Sequence, residues 1–132
     1  VQLRGPEKGD CLWKGTARER HWAVAPWLAN VDLDLYGWIR ETLWEEPWGV
    51  FVEARTTLDA LRGHFRRIHV VEDPAGKKMV FRFYDPRVLG SYLRTATAAE
   101  RAELFGPVEA FWGVLGEPGA RAPERFPKEA RR

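Results

Sequence analysis

The stretch MVFRFYDPRVL, residues 79–89, places a strand pattern, a turn and a helix start within one short segment. Residues 79–84 are typical of a strand, in which side chains alternate between two faces. Met79, Phe81 and Phe83 fall on one face, and Val80, Arg82 and Tyr84 fall on the other. Asp85 is a typical helix N-cap, and Pro86 suits the first helical position because its missing N–H would be unpaired there. The segment therefore predicts a strand that turns sharply into a helix over residues 86–95.

Two arginines flank this turn, Arg82 before it and Arg87 after it. A guanidinium can hold a carboxylate through two parallel hydrogen bonds, so either arginine is predicted to fix Asp85 or a neighbouring helix end. A catalytic cluster or a phosphate-binding site would use the same residue types. Architecture alone is enough to explain the cluster, and we therefore predict a structural role for it.

Strand patterns recur on both sides of this stretch. One is predicted over residues 22–33 with an interruption at Pro26, and another over residues 48–54 with both faces covered. Residues 69–73 are predicted to form a hairpin with the strand that begins at residue 79, because the turn signal PAGKK separates them. Residues 108–115 fit either a strand or a short helix.

Helices are predicted at four places from their caps and their apolar periodicity. Their starts are marked by Asp32 or Asp34, by Thr56 with Asp59, by Asp85 with Pro86, and by Thr97 with Glu100. Their ends are expected at about Trp44, Ile68, Thr95 and Gly106. This order of elements predicts an α/β fold of the α+β kind, a single lobe in which several helices pack on a mixed sheet.

The chain is expected to have three segments. Residues 1–10 are polar, with Gly and Pro, and indicate an irregular lead-in, whereas residues 11–115 carry the strand and helix patterns. Residues 116–132 contain three prolines among charged residues, and this composition indicates a tail or a linker.

Composition limits the class of protein. A chain of 132 residues that is 45% hydrophobic can bury its own core as one domain. The 21 basic and 19 acidic residues nearly cancel, so no large uniform field attracts nucleic acid or a membrane. A single cysteine, Cys11, excludes an internal disulfide. No apolar run approaches the roughly 20 residues that cross a bilayer, and the start is too polar for a signal peptide, so a cytoplasmic protein is expected.

Residue types that support catalysis do not occur here at the spacings that such chemistry needs. His21, His64 and His69 lack the spacing of a metal site, and nothing near Cys11 indicates an activated nucleophile. The glycines are scattered and form no phosphate loop or dinucleotide fingerprint. Paired carboxylates lie at predicted helix ends, where capping explains them. The sequence predicts no enzyme, no cofactor and no metal.

One basic segment offers an alternative function. RGHFRRIH, residues 62–69, sets Arg62 and Arg66 one helical turn apart, with Arg67 beside them. Such a helix face can line a phosphate backbone, and nearby tryptophans can stack on bases. The near-neutral charge balance argues against it, because nucleic-acid-binding domains are usually strongly basic. Nucleic acid is therefore an unlikely partner, and this interpretation stays as the alternative.

The motif segments also resemble a known family. FRFYDPRVL (residues 81–89), followed after a helical spacer by ELFGPVEAFW (residues 103–112), closely resembles the motif pair of the adaptor-chaperone domain of bacterial type VI secretion. CLWKGT (residues 11–16) and APWL (residues 25–28) are similar to two earlier motifs of that family. The segment from Trp48 through LDALRGHFRRIHVV is similar to the family's strand and arginine-rich helix. The resemblance covers about residues 11–115.

The chain departs from the family pattern in three respects. Cys11 and Trp13 stand where the family has Ser and Phe. Residues 1–10 do not supply the further strand and helix with which members usually open, so one sheet edge is expected to be unpaired. Many members also carry a second, helical lobe, and the proline-rich segment at residues 116–132 resembles the start of a linker to such a lobe.

The resemblance implies a non-catalytic adaptor that binds the N-terminal region of an effector toxin and helps to load it onto the VgrG spike, in the cytoplasm of a Gram-negative bacterium. It implies no cofactor and no membrane partner. The motif residues Arg82, Tyr84, Asp85, Pro86 and Arg87 are then expected to hold the strand-to-helix junction. Tryptophan and arginine dominate interface hot spots. The candidate partner-binding residues are Trp13, Trp27, Arg62, Arg66 and Trp112.

Overall fold

The computed structural model describes residues 10–12 and 26–129. The helices in these ranges are α1 (Leu33–Thr42), α2 (Leu58–Ile68), α3 (Pro86–Thr95) and α4 (Ala98–Phe105). The strands in these ranges are β1 (Asp10–Cys11), β2 (Trp27–Leu28), β3 (Val50–Ala54), β4 (Val70–Glu72), β5 (Lys78–Val80), β6 (Val108–Leu115) and β7 (Ala122–Pro127). None of these helices is long and apolar enough to span a membrane. The predicted α+β class, a single lobe with helices packed on a sheet, is confirmed.

β6 is the centre of the main sheet, which has the strand order β3–β6–β7. Residues 108–115, for which the sequence fitted either a strand or a short helix, thus form a strand. β1 with β2, and β4 with β5, form two further two-stranded ladders. Every pair among the described strands is antiparallel, so the mixed sheet expected from the element order consists here of antiparallel pairs.

Side-chain caps determine where the helices begin. Asp32 accepts a hydrogen bond at 2.8 Å from the backbone N–H three residues on, and Thr97 and Glu100 form the predicted reciprocal capping box. At α2 the cap is Thr57, whose hydroxyl accepts from the N–H three residues on at 3.1 Å. The prediction of Thr56 as this cap is wrong by one residue, because Thr57 has the extended backbone that an N-cap requires.

Three helices pack on one face of the main sheet. Phe111 of β6 lies 6.3 Å, centroid to centroid, from Phe65 of α2 and 5.0 Å from Phe105 of α4. α3 reaches this face at Gly113, where an added Cβ would lie only 2.8 Å from the Cβ of Pro86. Cβ atoms in proteins do not approach so closely, so glycine at this position lets the first turn of α3 rest on β6. This contact sets the height of the Asp85–Pro86 junction above the sheet.

α1 lies on the opposite face. Tyr36 of α1 contacts Phe51 of β3 at a centroid distance of 5.9 Å. Phe51 points away from its neighbours Val50 and Val52, which pack against the core beneath α2, since side chains alternate along a strand. β3 is therefore sandwiched between α1 and the other helices. Full cover of both faces, as predicted for residues 48–54, does not extend to Glu53, whose exposed carboxylate accepts from Arg125 at 3.0 Å.

The hairpin of β4 and β5 ends earlier than predicted. Pairing stops at Val80, with one more hydrogen bond from the N–H of Phe81 to the carbonyl of His69 at 2.7 Å. The chain then turns, and the N–H of Asp85 donates to the carbonyl of Arg82 at 3.0 Å. The prediction that residues 79–84 form one continuous strand is wrong for residues 81–84. The turn allows Phe83 to enter the core, where it stacks on Phe65 at 5.0 Å.

The segment predicted as a tail or linker contributes a strand. β7 pairs with β6 along its whole length, from Ala122 opposite Leu115 to Pro127 opposite Ala110. Proline lacks the N–H that a central strand needs, so the prolines of residues 116–132 argue against a central strand. β7 is at the edge of the sheet, where proline is tolerated. The half-buried ring of Phe126 packs near Gly90 of α3. The linker prediction therefore does not hold for residues 122–127.

Candidate binding groove

A groove of about 590 Å³ lies along the side of β3 that faces away from β6. We call this side the β3 edge. β2, α1, the start of α2 and the turn before α3 also line the groove. The apolar and aromatic side chains that line the groove include Leu28, Leu35, Trp48, Phe51, Leu61 and Tyr84. Its volume is within the range of about 300–1,000 Å³ that is usual for ligand sites in proteins.

One end of the groove is formed by an aromatic contact that follows from the chain before β3. α1 ends at Thr42, and Pro47 precedes Trp48, whose ring meets that of Phe51 edge-on at 4.9 Å. The indole Nε1 of Trp48 is buried and has no hydrogen-bond partner in the described part of the chain. A buried donor without an acceptor costs about 1–3 kcal/mol. Trp48 therefore lines the groove with its ring and holds a buried N–H that no described residue accepts.

Charged side chains also line the groove, and we call this group the charged lip (Arg82, Asp85 and Arg87). Arg87 donates from Nε to Asp85 Oδ1 at 3.1 Å and from Nη2 to Oδ2 at 2.8 Å. Asp85 Oδ1 also accepts the backbone N–H of Arg87 at 3.0 Å, so the carboxylate caps α3 as well. The hydrogen bonds from the Arg87 side chain are the main reason why the pKa of Asp85 is lowered. Of the two arginines predicted to fix Asp85, Arg87 does so.

Arg82 does not have the structural position that was expected for it. Its side chain is exposed and lines the groove, and it forms no ion pair or side-chain hydrogen bond within residues 10–12 and 26–129. The reason is the turn after Val80, which directs residue 82 outward. Tyr84 beside it is half-buried, and burial raises the pKa of its hydroxyl. The lip thus carries one balanced ion pair and one unbalanced positive charge.

The predicted partner-binding residues are not gathered in one place. Trp27 lines the groove, and Trp13 lies outside the described residues. Trp112 sits on β6 away from the groove and hydrogen-bonds to Glu53, which is the main cause of the lowered pKa of that carboxyl group. The groove instead brings together Trp27 and the motif residues Arg82, Tyr84, Asp85 and Arg87.

The basic face of α2 is largely engaged within the fold. Arg62 forms an ion pair with Asp59, one turn before it on the same helix. Arg66 donates from Nε to the backbone carbonyl of Leu12 at 3.1 Å, which joins α2 to the segment after β1. Arg67 is exposed. Two of the three arginines of the proposed nucleic-acid face thus have contacts with other parts of the protein.

Sequence reasoning missed Trp48, Phe51 and Leu35 as groove residues. The apolar run at residues 48–52 was visible, but it indicated a covered strand, because a sequence does not show which side of a strand lacks a neighbour. Leu35 was visible as part of the apolar face of α1, which is normally a core face. Within residues 10–12 and 26–129 no strand lies beyond β3, and both features become groove walls.

No group of three or more His, Cys, Asp or Glu side chains within the described ranges is placed to hold a metal ion. His64 is a buried structural residue: its Nε2 donates to the carbonyl of Leu104 at 2.7 Å, and burial lowers its pKa. Its ring fills the space beside Gly106, where an added Cβ would lie 2.5 Å from the ring. His64 therefore joins α2 to the end of α4.

Comparison with known proteins places the chain in a family. The family described as "Domain of unknown function (DUF4123)" matches residues 2–103, which is well over half of the chain. No curated protein and no solved structure is significantly similar to this chain. The matched range contains the groove walls and the charged lip. The chain therefore belongs to the DUF4123 family, which is associated with the effector adaptors of type VI secretion.

Proposed function

We propose that this protein is a non-catalytic adaptor of type VI secretion, which binds an effector toxin and helps to load it onto the VgrG spike in the cytoplasm of a Gram-negative bacterium. The observation that carries the proposal is the groove along the β3 edge in a chain of this family. An adaptor needs a surface that recognises a partner by shape and apolar contact. The groove has that chemistry.

The composition of the groove supports a protein partner. Its walls combine aliphatic side chains with Trp27, Trp48, Phe51 and Tyr84, and Arg82 stands at its rim. Tryptophan, tyrosine and arginine supply most of the energy at protein interfaces, where they fill apolar pockets surrounded by a polar rim. An apolar groove with a charged rim is thus suited to hold part of another protein.

The proposal is tested by co-purification. The tagged protein is expressed with VgrG and with candidate effectors of the same secretion system, and the retained proteins are quantified. Leu35→Asp puts a charge into the groove wall and is expected to reduce effector retention at least about tenfold, since an uncompensated charge in an apolar site costs several kcal/mol.

Leu33→Asp is the matched control. Leu33 is two residues away on the same helix, is 88% exposed and is not part of the groove. We expect this variant to retain the effector as the parent does, and both variants to keep the parental Tm within a few degrees. If the parent retains neither effector nor VgrG, the proposed function is wrong. If both leucine variants retained equal amounts of the effector, the effector would bind elsewhere than in the groove.

A further inference from the structure

We propose that the groove receives an extended segment of the effector, which pairs with the β3 edge as an added strand and places a carboxylate at Arg82. This inference rests on the proposed function, because it specifies how the cargo binds. It rests structurally on four features of the groove: an edge of β3 that no described strand pairs with, apolar walls on both sides, the indole N–H of Trp48, and Arg82, which has no ion pair among the described residues.

The β3 edge provides the backbone hydrogen bonds. Val50–Ala54 pair with β6 on one side, and no described strand pairs with them on the other. In an antiparallel ladder alternate residues direct their N–H and C=O groups away from the partner strand. These groups therefore face the groove. An edge of this kind tends to bind a further strand, and many peptide-binding domains use such an edge for recognition.

The walls of the groove match the two faces of a strand. Val50 and Val52 line it from the core face of the sheet, whereas Phe51 lines it from the face of α1. A groove bordered by both faces runs along the edge and not over one face. On one side α1 contributes Leu35, and on the other α2 contributes Leu61. A strand in this position would point successive side chains alternately at α1 and at α2, so both sets should be apolar.

Trp48 adds a directional contact. Its buried indole N–H has no acceptor among the described residues, and Trp48 itself lies two residues before the start of β3 and lines the groove. Buried donors in native proteins are nearly always paired. This N–H is closed to solvent, so a backbone carbonyl of the incoming strand would accept from it only after the indole turns toward the groove. A partner bound through its backbone would then satisfy this donor.

Charge at the lip determines one side chain of the segment. Arg87 and Asp85 neutralise each other, while Arg82 is exposed and lacks an ion pair within the described ranges. The lip therefore has one net positive charge. A guanidinium binds a carboxylate through two parallel hydrogen bonds, which gives direction as well as affinity. We therefore expect Asp or Glu in the effector segment near Arg82.

The main test is a backbone methylation scan. Overlapping peptides of the effector that co-purifies are titrated against the full chain, and the tightest binder is synthesised with one N-methyl group at each position in turn. A paired strand uses every second N–H, so methylation should weaken binding at least about tenfold at alternate positions and little between them. If methylation weakened peptide binding without alternating between successive positions, strand pairing would be wrong, while the adaptor function would not be affected by this result.

Arg82→Glu tests the charge at the lip. We expect it to weaken peptide binding about tenfold, because a charge-assisted hydrogen bond is lost, and a peptide with Lys in place of its acidic residue should restore the affinity. Arg94→Glu is the matched control, since Arg94 is also an exposed arginine, lies at the end of α3 and does not line the groove. Equal losses in both arginine variants, or no rescue by the Lys peptide, would contradict the assigned contact.

Trp48→Phe keeps an aromatic wall but removes the indole N–H. We expect several-fold weaker peptide binding, in proportion to the loss of about one hydrogen bond. Unchanged affinity would refute the role of Trp48 as donor.

Two further outcomes decide between occupants. If no peptide binds and the intact effector does not co-purify either, the adaptor function and the strand model both fail. If the effector binds while the pure protein is a dimer that Arg82→Glu or Trp48→Phe dissociates, the β3 edge pairs with a second copy of this chain, and the strand proposal for the effector is wrong.

Discussion

Asp85 makes two kinds of contact at the start of α3. Its Oδ1 accepts the backbone N–H of Arg87, as an N-cap does, and both carboxylate oxygens accept from the guanidinium of the same residue. The ionised form is therefore favoured in the folded protein, and the pKa of Asp85 is lowered, chiefly by the Arg87 side chain. A single acidic residue thus fixes both the helix start and the orientation of one lip arginine.

We predict that Asp85→Ala lowers the free energy of unfolding by about 1 kcal/mol at pH 7, the usual cost of a lost N-cap. A lowered folded pKa gives stability that is present above the unfolded value of about 3.9 and is lost as the pH falls through the folded value. The difference between parent and variant should therefore shrink below about pH 4. Urea unfolding at pH 7 and at lower pH measures it.

Asp85→Asn serves as the control for this prediction. Asparagine retains a capping oxygen but cannot form the charged pair with Arg87, so its cost at pH 7 should be smaller than that of alanine. A gap between parent and Asp85→Ala that stays constant from neutral to strongly acidic pH would show that ionisation of Asp85 does not contribute to stability.

At the scale of elements, α3 and β6 are brought together by a glycine. An added Cβ at Gly113 would lie 2.8 Å from the Cβ of Pro86. We predict that Gly113→Ala lowers the free energy of unfolding by about 1–3 kcal/mol, the usual cost of overpacking, because α3 must move away from the sheet. Chemical denaturation of the purified variant measures this loss.

Gly37→Ala provides the opposite case. Gly37 lies inside α1, and an added Cβ would have no atom within 4 Å. Alanine in place of glycine there should stabilise the protein by about 0.5–1 kcal/mol, because it reduces the freedom of the unfolded chain. If both substitutions had the same sign, close packing of α3 on β6 would not be the cause of the loss at Gly113.

β7 is the element whose contribution sequence reasoning placed wrongly, and its removal is predicted to be costly. A chain that ends after Gly119 leaves β6 with an open edge and removes two of the three backbone acceptors of Arg101, the carbonyls of Pro127 and Lys128. We expect a lower Tm and a tendency to aggregate through the exposed edge. A chain ending after Glu129 is the control and should melt as the parent does. Equal melting of the two truncated chains would mean that β7 adds nothing to stability.

Features that depend on neighbouring residues could be predicted from the sequence, whereas those that depend on distant pairing could not. The Asp85–Pro86 start of α3 and the Thr97–Glu100 capping box are local, because cap and helix lie within a few residues. The groove was not predictable, since it lies along the side of β3 that no other described strand pairs with. The outward position of Arg82 depends on a turn that strand alternation cannot reveal. Sequence reasoning therefore found the cap and the Arg87–Asp85 pair, but it did not show that Arg82 is exposed.

At the scale of the whole molecule, the main sheet (β3–β6–β7) and the hairpin of β4 and β5 differ in how much they contribute to stability. Phe111, Ala110 and Val114 of β6 are almost completely buried, and β6 is paired on both sides. The hairpin of β4 and β5 is a two-stranded ladder whose apolar side chains are 39–49% exposed: Val70, Val71, Met79 and Val80. A two-stranded hairpin with little burial is only marginally stable by itself.

We therefore predict that the hairpin opens locally without unfolding of the core. In hydrogen exchange monitored by NMR or mass spectrometry, the amides of β4 and β5 should exchange at a much lower opening free energy than those of β6, which should exchange only through global unfolding. Met79→Thr should change the free energy of unfolding by less than about 0.5 kcal/mol, since this side chain is exposed, whereas Phe111→Ala should cost about 3–5 kcal/mol. Hairpin amides that exchange as slowly as those of β6 would show instead that the hairpin belongs to the same cooperative unit as the main sheet.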